Sequence, residues 1–139
     1  MSLVFFTDRD LGRRFPEILE SAGLTVERHH DLFPHDCPDE RWLEYVGKNG
    51  RVAITHDGRI RYKPNELAAV RRHRVALLVA VGKAPYPLLA RHFVATMSMI
   101  SDFLAQHDAP FIAKVYRPSP SEVAKDQNAA GKVSLWYPK

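Results

Sequence analysis

The stretch RVALLVAV, residues 74–81, contains the longest apolar run of this chain. A run of this kind is typical of a strand that is covered on both faces, as at the centre of a parallel sheet. Four further segments have the character of strands: LVFFT at 3–7, LTVER at 24–28, RVAIT at 51–55 and FIAKVY at 111–116. We therefore predict five strands, with residues 74–81 as a central one.

Segments in which apolar residues recur at helical spacing alternate with these strands, at residues 11–22, 37–50, 64–72 and 89–104. The order β-α-β-α-β-α-β-α-β predicts an α/β fold, with an open, mostly parallel sheet flanked by helices on both faces. We expect residues 1–117 to form this domain. Residues 118–139 are expected to add a C-terminal loop and a candidate edge strand, VSLWY, to the same domain.

The composition is that of one globular domain. A chain of 139 residues buries about two thirds of the surface that its unfolded form exposes, so it can build a core without disulfides. Its 45% of hydrophobic residues excludes a disordered chain, and no apolar run is long enough to cross a bilayer. The first residues carry no secretory signal and Cys37 has no second cysteine to pair with, which favours a cytoplasmic protein with no membrane partner.

Basic residues are concentrated in one part of the chain, whose net charge is +4. Between residues 59 and 74, a single acid, Glu66, accompanies Arg59, Arg61, Lys63, Arg71, Arg72 and Arg74. Such a patch attracts phosphate groups, which makes a nucleic acid a candidate partner. A solvated helix face explains the same pattern equally well, so charge alone does not decide between the two.

Acidic side chains follow two of the predicted strands. Asp8 and Asp10 come directly after the first strand, and Asp57 follows the strand at 51–55. Ligands of such sheets bind outside the carboxyl ends of the strands, so we expect these acids to line one crevice. Asp39 and Glu40 begin a helix, where acids also serve to offset the helix dipole. A set of carboxylates without cysteine or histidine suits Mg²⁺ or Mn²⁺, whose bound water can attack a phosphodiester.

Four segments together resemble the PIN-like domains, which are small metal-dependent ribonucleases, and in particular the short PIN-like toxins of toxin–antitoxin pairs. They are FFTDRDLGRRFPEILESAG at 5–23, DLFPHDCPDERWL at 31–43, VAITHDGRIRYKPNELAAVRRH at 52–73 and PFIAKVYR at 110–117. The resemblance covers about residues 3–117 and rests on the order and spacing of these segments. It implies a PIN fold and an acidic cluster that binds Mg²⁺ or Mn²⁺ and hydrolyses RNA.

The resemblance also implies roles for residues of this sequence. The catalytic and metal-binding acids of the family match Asp8, Asp39 and Asp57, and Asp36 and Glu40 are neighbours that could take the place of Asp39. Asp10, beside Asp8, is a further candidate metal ligand, and Arg59, Arg61 and Lys63 directly follow Asp57, so we expect them to contact RNA phosphates. The expected partners are an RNA substrate and a second copy of the chain, and the resemblance adds a cognate antitoxin protein. PIN enzymes commonly have a fourth acid or an asparagine after the third acid. Here that stretch offers only Arg59, Arg61 and Asn65, which leaves a catalytically inactive RNA-binding module as the alternative.

Three other classes of site share parts of this pattern. The D-x-D of Asp8 and Asp10 resembles the haloacid-dehalogenase-like phosphatases, but the usual D-G-T continuation is absent. A receiver domain would use Asp57 as its phosphoacceptor, yet the expected Thr or Ser and the Lys-Pro after later strands are missing. A zinc site is a weaker alternative, because its one cluster contains a single sulfur: His29, His30, His35, Asp36 and Cys37.

Overall fold

The computed structural model describes residues 3–138 and contains one six-stranded sheet. Its strands are β1 (Val4–Thr7), β2 (Thr25–Arg28), β3 (Val52–Thr55), β4 (Ala76–Val81), β5 (Phe111–Tyr116) and β6 (Lys132–Tyr137). They lie in the order β2-β1-β3-β4-β5-β6, with β1 to β5 parallel and β6 antiparallel to β5. The predicted α/β class and the open, mostly parallel sheet are confirmed.

Seven α-helices and two short 3-10 turns connect the strands of the described residues. The helices are α1 (Arg14–Ser21), α2 (His29–Leu32), α3 (Asp39–Lys48), α4 (Pro64–Arg72), α5 (Tyr86–Ala95), α6 (Met97–Gln106) and α7 (Pro120–Lys125), and the turns are Arg9–Leu11 and Ile60–Tyr62. None of the helices between residues 3 and 138 is both long and apolar enough to cross a membrane.

The segment before β6 is helical over Pro120–Lys125, so the expectation of an uninterrupted loop there was wrong. The hydroxyl of Ser119 accepts a hydrogen bond from the backbone N–H of Glu122, and the Glu122 carboxylate accepts one from the backbone N–H of Ser119. This reciprocal capping, with Pro120 at the first helical position, is sufficient to start a short helix.

The spacing predicted a single helix at residues 89–104, but the structure has two helices there, because the helix is interrupted at Thr96. The buried hydroxyl of Thr96 donates to the carbonyl oxygen of His92 at 2.7 Å and accepts from the backbone N–H of Gly131 at 2.9 Å. A hydroxyl bonded back to a carbonyl one turn earlier tends to bend a helix. Thr96 therefore joins α5 and α6 to the chain that leads into β6.

Hydrophobic clusters lie on both faces of the sheet. Phe5 belongs to the cluster with α1, α5 and α6, whereas Phe6 belongs to the cluster with α3 and α4, where it stacks on Trp42 at 5.4 Å between ring centroids. In β4, Leu77 and Leu78 divide between the two clusters in the same way. Because β1 and β3 are parallel, the residues that follow them emerge at the same carboxyl edge of the sheet.

Candidate acidic site

The carboxyl ends of β1 and β3 lie side by side, which places their following residues together. Thr7 pairs with Ile54 in the parallel ladder, and the backbone N–H of Asp8 donates to the carbonyl oxygen of Ile54 at 2.9 Å. Asp8 is only 6% exposed, and the side chain of Thr55 beside it is fully buried. Asp8 therefore lies at the carboxyl edge of the sheet, beside the end of β3.

Asp8 and Asp10, which we call the acidic pair, share the hydroxyl of Thr55. Thr55 Oγ1 lies 2.9 Å from Oδ2 of Asp8 and 3.2 Å from Oδ2 of Asp10. Backbone N–H groups complete the arrangement, from Arg9 to Asp8 at 2.7 Å and from His56 to Asp10 at 3.1 Å. Because one hydroxyl carries one proton, it can donate to only one of the two carboxylates at a time.

The surroundings of the acidic pair disfavour two negative charges. Burial, followed by repulsion from Asp10, raises the pKa of Asp8 to about 7, and the charge of Asp39 acts in the same direction. Burial also raises the pKa of Asp10, against the hydrogen bonds from His56 and Thr55. Near neutral pH the pair therefore retains a proton much of the time, and a bound cation would remove the need for it.

Asp57 has a different environment, since both of its oxygens have cationic partners. Its Oδ1 accepts from Nε of Arg59 at 3.3 Å and from the backbone N–H of Arg59 at 2.9 Å, and its Oδ2 accepts from Nζ of Lys63 at 2.7 Å. Burial raises the pKa of Asp57, but the bonds from Lys63 and Arg59 outweigh it and the pKa is lowered. Asp57 is thus an ionised carboxylate that holds Lys63 and Arg59 beside the acidic pair, and its charge acts on Asp10.

Asp39 begins α3, and its Oδ1 accepts from the indole N–H of Trp42 at 3.0 Å. Its charge raises the pKa of both Asp8 and Lys63, so its carboxylate lies within electrostatic range of both. The two neighbours that could take its place, Asp36 and Glu40, are exposed on the surface. Of the acids on this part of the chain, Asp39 is therefore the one that acts on the site.

A metal ion is implied by the resemblance, and the acidic pair suits a small hard cation. Across residues 3–138, no three His, Cys, Asp or Glu side chains converge in an arrangement that could hold a metal by themselves. Mg²⁺, however, is commonly bound through one or two carboxylates together with waters and substrate phosphates. A buried and a half-buried carboxylate that repel each other form such a donor set, so Asp8 and Asp10 fit Mg²⁺ or Mn²⁺.

The histidine-rich segment is not arranged as a zinc site within the described residues. His29 is buried against the rings of Phe6 and Phe33, and burial lowers its pKa, so the ring is neutral. The thiol of Cys37 is directed to the carbonyl oxygen of Pro38, whereas His35 is exposed. The zinc alternative thus has no support in the geometry.

Three contacts at this site were missed by reasoning from sequence. The sequence marks Thr55 only as the end of a strand, although its hydroxyl is the shared donor of the acidic pair. Nδ1 of His56 lies 2.8 Å from the carbonyl oxygen of Ala80 and carries the proton of that bond, because a carbonyl can only accept. Arg61 turns away from the acids, and its Nε donates to the carbonyl oxygen of Trp136 at 3.3 Å. A buried threonine at a strand end beside two acids was the one available signal.

A family model described as PIN like domain matches residues 3–82, more than half of the 139 residues. The chain belongs to the PIN-like domain family. Comparisons with curated proteins and with solved structures gave no significant match. The matched part of this PIN-like domain runs from β1 to the end of β4 and contains Asp8, Asp10, Asp39 and Asp57. The family match does not favour the phosphatase or the receiver domain, and β5 and β6 lie beyond it.

Proposed function

We propose that this PIN-like domain is a ribonuclease that depends on Mg²⁺ or Mn²⁺ held by the acidic pair. The observation that carries the proposal is the acidic pair itself, a buried and a half-buried carboxylate on one hydroxyl donor at the carboxyl edge of the sheet. A protein gains no stability from this repulsion, and elevated carboxyl pKa values are typical of functional sites. Membership of a nuclease-type family supports the same assignment.

The proposal gives each polar group of the site a role. Asp8 and Asp10 hold the ion, and Thr55 fixes the orientation of both carboxylates through its hydroxyl. When bound, the ion supplies an activated water for hydrolysis of a phosphodiester. Asp39 adds negative charge on the side of α3, and Asp57 holds Lys63 and Arg59 where they can contact the phosphates of a substrate.

The resemblance to short PIN-like toxins extends this proposal to the toxin of a toxin–antitoxin pair. An antitoxin would then be a protein that covers the acidic pair, and self-association of the chain is a further prediction. The antitoxin follows from the resemblance alone, and copurification of a second protein that inhibits cleavage would test it.

The test of the nuclease is cleavage of a labelled RNA with Mn²⁺, with Mg²⁺ and with EDTA. We expect metal-dependent cleavage that is lost in Asp8→Asn and in Asp10→Asn, because each change removes half of the donor set. Asp102→Asn, an exposed acid on α6, is the matched control and should cleave like the wild type. Cleavage that persists in EDTA, or in both pair variants, would contradict the proposal.

A second candidate is an RNA-binding module without activity. It is favoured by the lack of three converging metal ligands within residues 3–138 and by the cations on Asp57. In that case the same assay would detect no cleavage with either metal, while RNA would still bind and would dissociate as salt is raised.

A further inference from the structure

The sheet has an open region on the face that α3 and α4 cover elsewhere. Ile112 of β5 and Trp136 of β6 pack with the cluster on this face, and alternate residues of a strand point to the same face. Lys114 and Tyr116 therefore share the face of Ile112, and the exposed Ser134 lies on the same face because it pairs with Lys114. We call this surface the open platform; it consists of Lys114, Tyr116, Ser134 and Trp136, with Arg61 and Tyr62 at its border.

Trp136 holds two cations of the open platform in place. Nζ of Lys114 lies 4.1 Å from the centroid of the Trp136 ring, and the Arg61 guanidinium carbon lies 5.7 Å from it. Arg61 also lies 5.3 Å from the ring of Tyr62 and 5.7 Å from the ring of Tyr137. Cations held against rings in this way lose little further side-chain freedom when they contact an anion.

Two exposed aromatic rings accompany these cations. Tyr62 is 67% exposed and meets Trp136 edge to face at 5.7 Å, and Tyr116 is 37% exposed at the end of β5. They are the exposed large aromatic side chains of residues 3–138, and both lie at the open platform. Exposed rings beside fixed cations are the combination with which proteins bind single-stranded nucleic acids, by stacking on bases and contacting phosphates.

The open platform is continuous with the acidic site. Tyr116 ends β5 at the same edge of the sheet where Asp57 follows β3, two strand spacings away, about 10 Å. Tyr62 directly precedes Lys63, whose Nζ bonds Asp57. A strand whose phosphate reaches the acidic pair can therefore continue over the platform within a few nucleotides.

The charge of the open platform favours the same ligand. Within residues 3–138, Lys114 and Arg61 contact rings rather than carboxylates, so their charge is available for phosphates. Lys132 lines a groove with Met99 and Asp102 of α6, so it does not belong to the cations of the platform. Arg71 and Arg72, exposed at the end of α4, line a groove of about 530 Å³ with Tyr137 and extend the basic surface.

We infer that the open platform binds single-stranded RNA, with bases stacked on Tyr62 and Tyr116 and phosphates on Arg61 and Lys114. The inference rests on the proposed function only for the choice of RNA as the strand. Tyr116, Lys114 and Trp136 lie beyond the residues of the family match. The C-terminal strands of this chain thus add a substrate-binding surface to the matched part.

The test is the affinity for a short fluorescein-labelled RNA of mixed sequence, measured by anisotropy in EDTA so that no cleavage occurs. Tyr62→Ala and Tyr116→Ala should each weaken binding roughly five- to hundredfold, and Tyr116→Phe should bind like the wild type. Lys114→Gln should reduce the slope of log affinity against log salt by about 0.7. Met99→Ala, an exposed residue of α6 on the other side of the sheet, is the control. Thermal unfolding of every variant checks that it is folded.

The comparison strands are single-stranded DNA and duplex RNA. Similar affinity for single-stranded DNA would assign the platform to unpaired bases irrespective of the sugar and supports the inference. Equal affinity for the duplex would overturn the inference, and so would unchanged RNA affinity in both alanine variants, Tyr62→Ala and Tyr116→Ala. It would also be overturned if the platform bound a protein partner and no RNA. If the wild type shows metal-dependent cleavage but the platform variants bind RNA normally, only the RNA-binding role of the platform is refuted. If binding depends on the platform but no RNA is cleaved, only the proposed nuclease activity is refuted.

Discussion

Asp8→Asn is expected to stabilise the protein at alkaline pH in the absence of metal, although it removes a residue of the proposed site. Burial and the neighbouring Asp10 raise the pKa of Asp8 to about 7 from 3.8. A carboxyl whose pKa is raised on folding contributes stability below its unfolded pKa and loses it as the pH rises through the folded pKa. The wild type should therefore become less stable between pH 4 and pH 8, whereas the variant lacks this contribution.

The magnitude follows from the size of the shift. A difference of about 3 pKa units corresponds to about 4 kcal/mol between the two protonation states. Asparagine retains one oxygen, so one of the bonds from Arg9 N–H and Thr55 Oγ1 is lost, which costs about 1 kcal/mol. The variant should be about 3 kcal/mol more stable than the wild type at pH 8 and about 1 kcal/mol less stable at pH 4.

Urea unfolding followed by tryptophan fluorescence measures this difference, with EDTA present at both pH values. Asp102→Asn, on the exposed face of α6, should match the wild type at both. When Mg²⁺ replaces EDTA at pH 8, it should stabilise the wild type by mass action and leave the unfolding free energy of Asp8→Asn unchanged. A variant that is equally destabilised at pH 4 and pH 8 would refute the reasoning, because Asp8 would then be an ordinary hydrogen-bonded structural residue.

Three further predictions follow from single contacts. Lys63→Gln should lower the free energy of unfolding at pH 7 by about 1 kcal/mol, and this loss should shrink as the pH falls below the ordinary aspartate pKa, because the lowered pKa of Asp57 contributes stability that is lost on acidification. In urea unfolding, a loss that stays constant from pH 7 into the acid range would contradict this. Thr55→Val removes the hydroxyl whose hydrogen bonds lower the pKa values of Asp8 and Asp10, so the acidic limb of the plot of cleavage rate against pH should move to higher pH. An acidic limb that does not move would contradict the role of Thr55 as the shared donor. Gly47→Ala would place a Cβ 2.0 Å from the carbonyl oxygen after α4 and should cost about 1–3 kcal/mol of unfolding free energy, whereas Gly58→Ala, which meets open space, should cost almost nothing; similar melting temperatures would show that α3 and α4 can separate.

The order of strands and helices follows from the sequence because apolar periodicity is a local property. Residues 74–81 were predicted as a central strand, and β4 is covered on both faces. The parallel arrangement then places Asp8 and Asp57 at one edge, since successive strands joined by helices run in the same direction. The family resemblance was confirmed over residues 3–82 by the family match.

The chemistry of the site depends on contacts between residues far apart in the chain. Thr55 meets Asp8 across 47 residues, and this contact makes Asp8 and Asp10 a pair. Asp57, by contrast, is neutralised by its near neighbour Lys63, which the sequence placed only as a residue of the basic stretch. The sequence thus located the acids, but their partners decide which carboxylates repel each other and which is already paired.

The same distinction applies to the rest of the chain. Local pattern determined the strands, the covered central strand and the edge where the acids lie, because each depends on neighbouring residues. Only tertiary contacts decided where the helix is interrupted at Thr96, whose hydroxyl bonds Gly131, 35 residues later in the chain. They also decided the position of Arg61, which bonds the carbonyl oxygen of Trp136, 75 residues later. No spacing rule relates residues so far apart, since their contact depends on how the helices and the edge strand pack on the completed sheet.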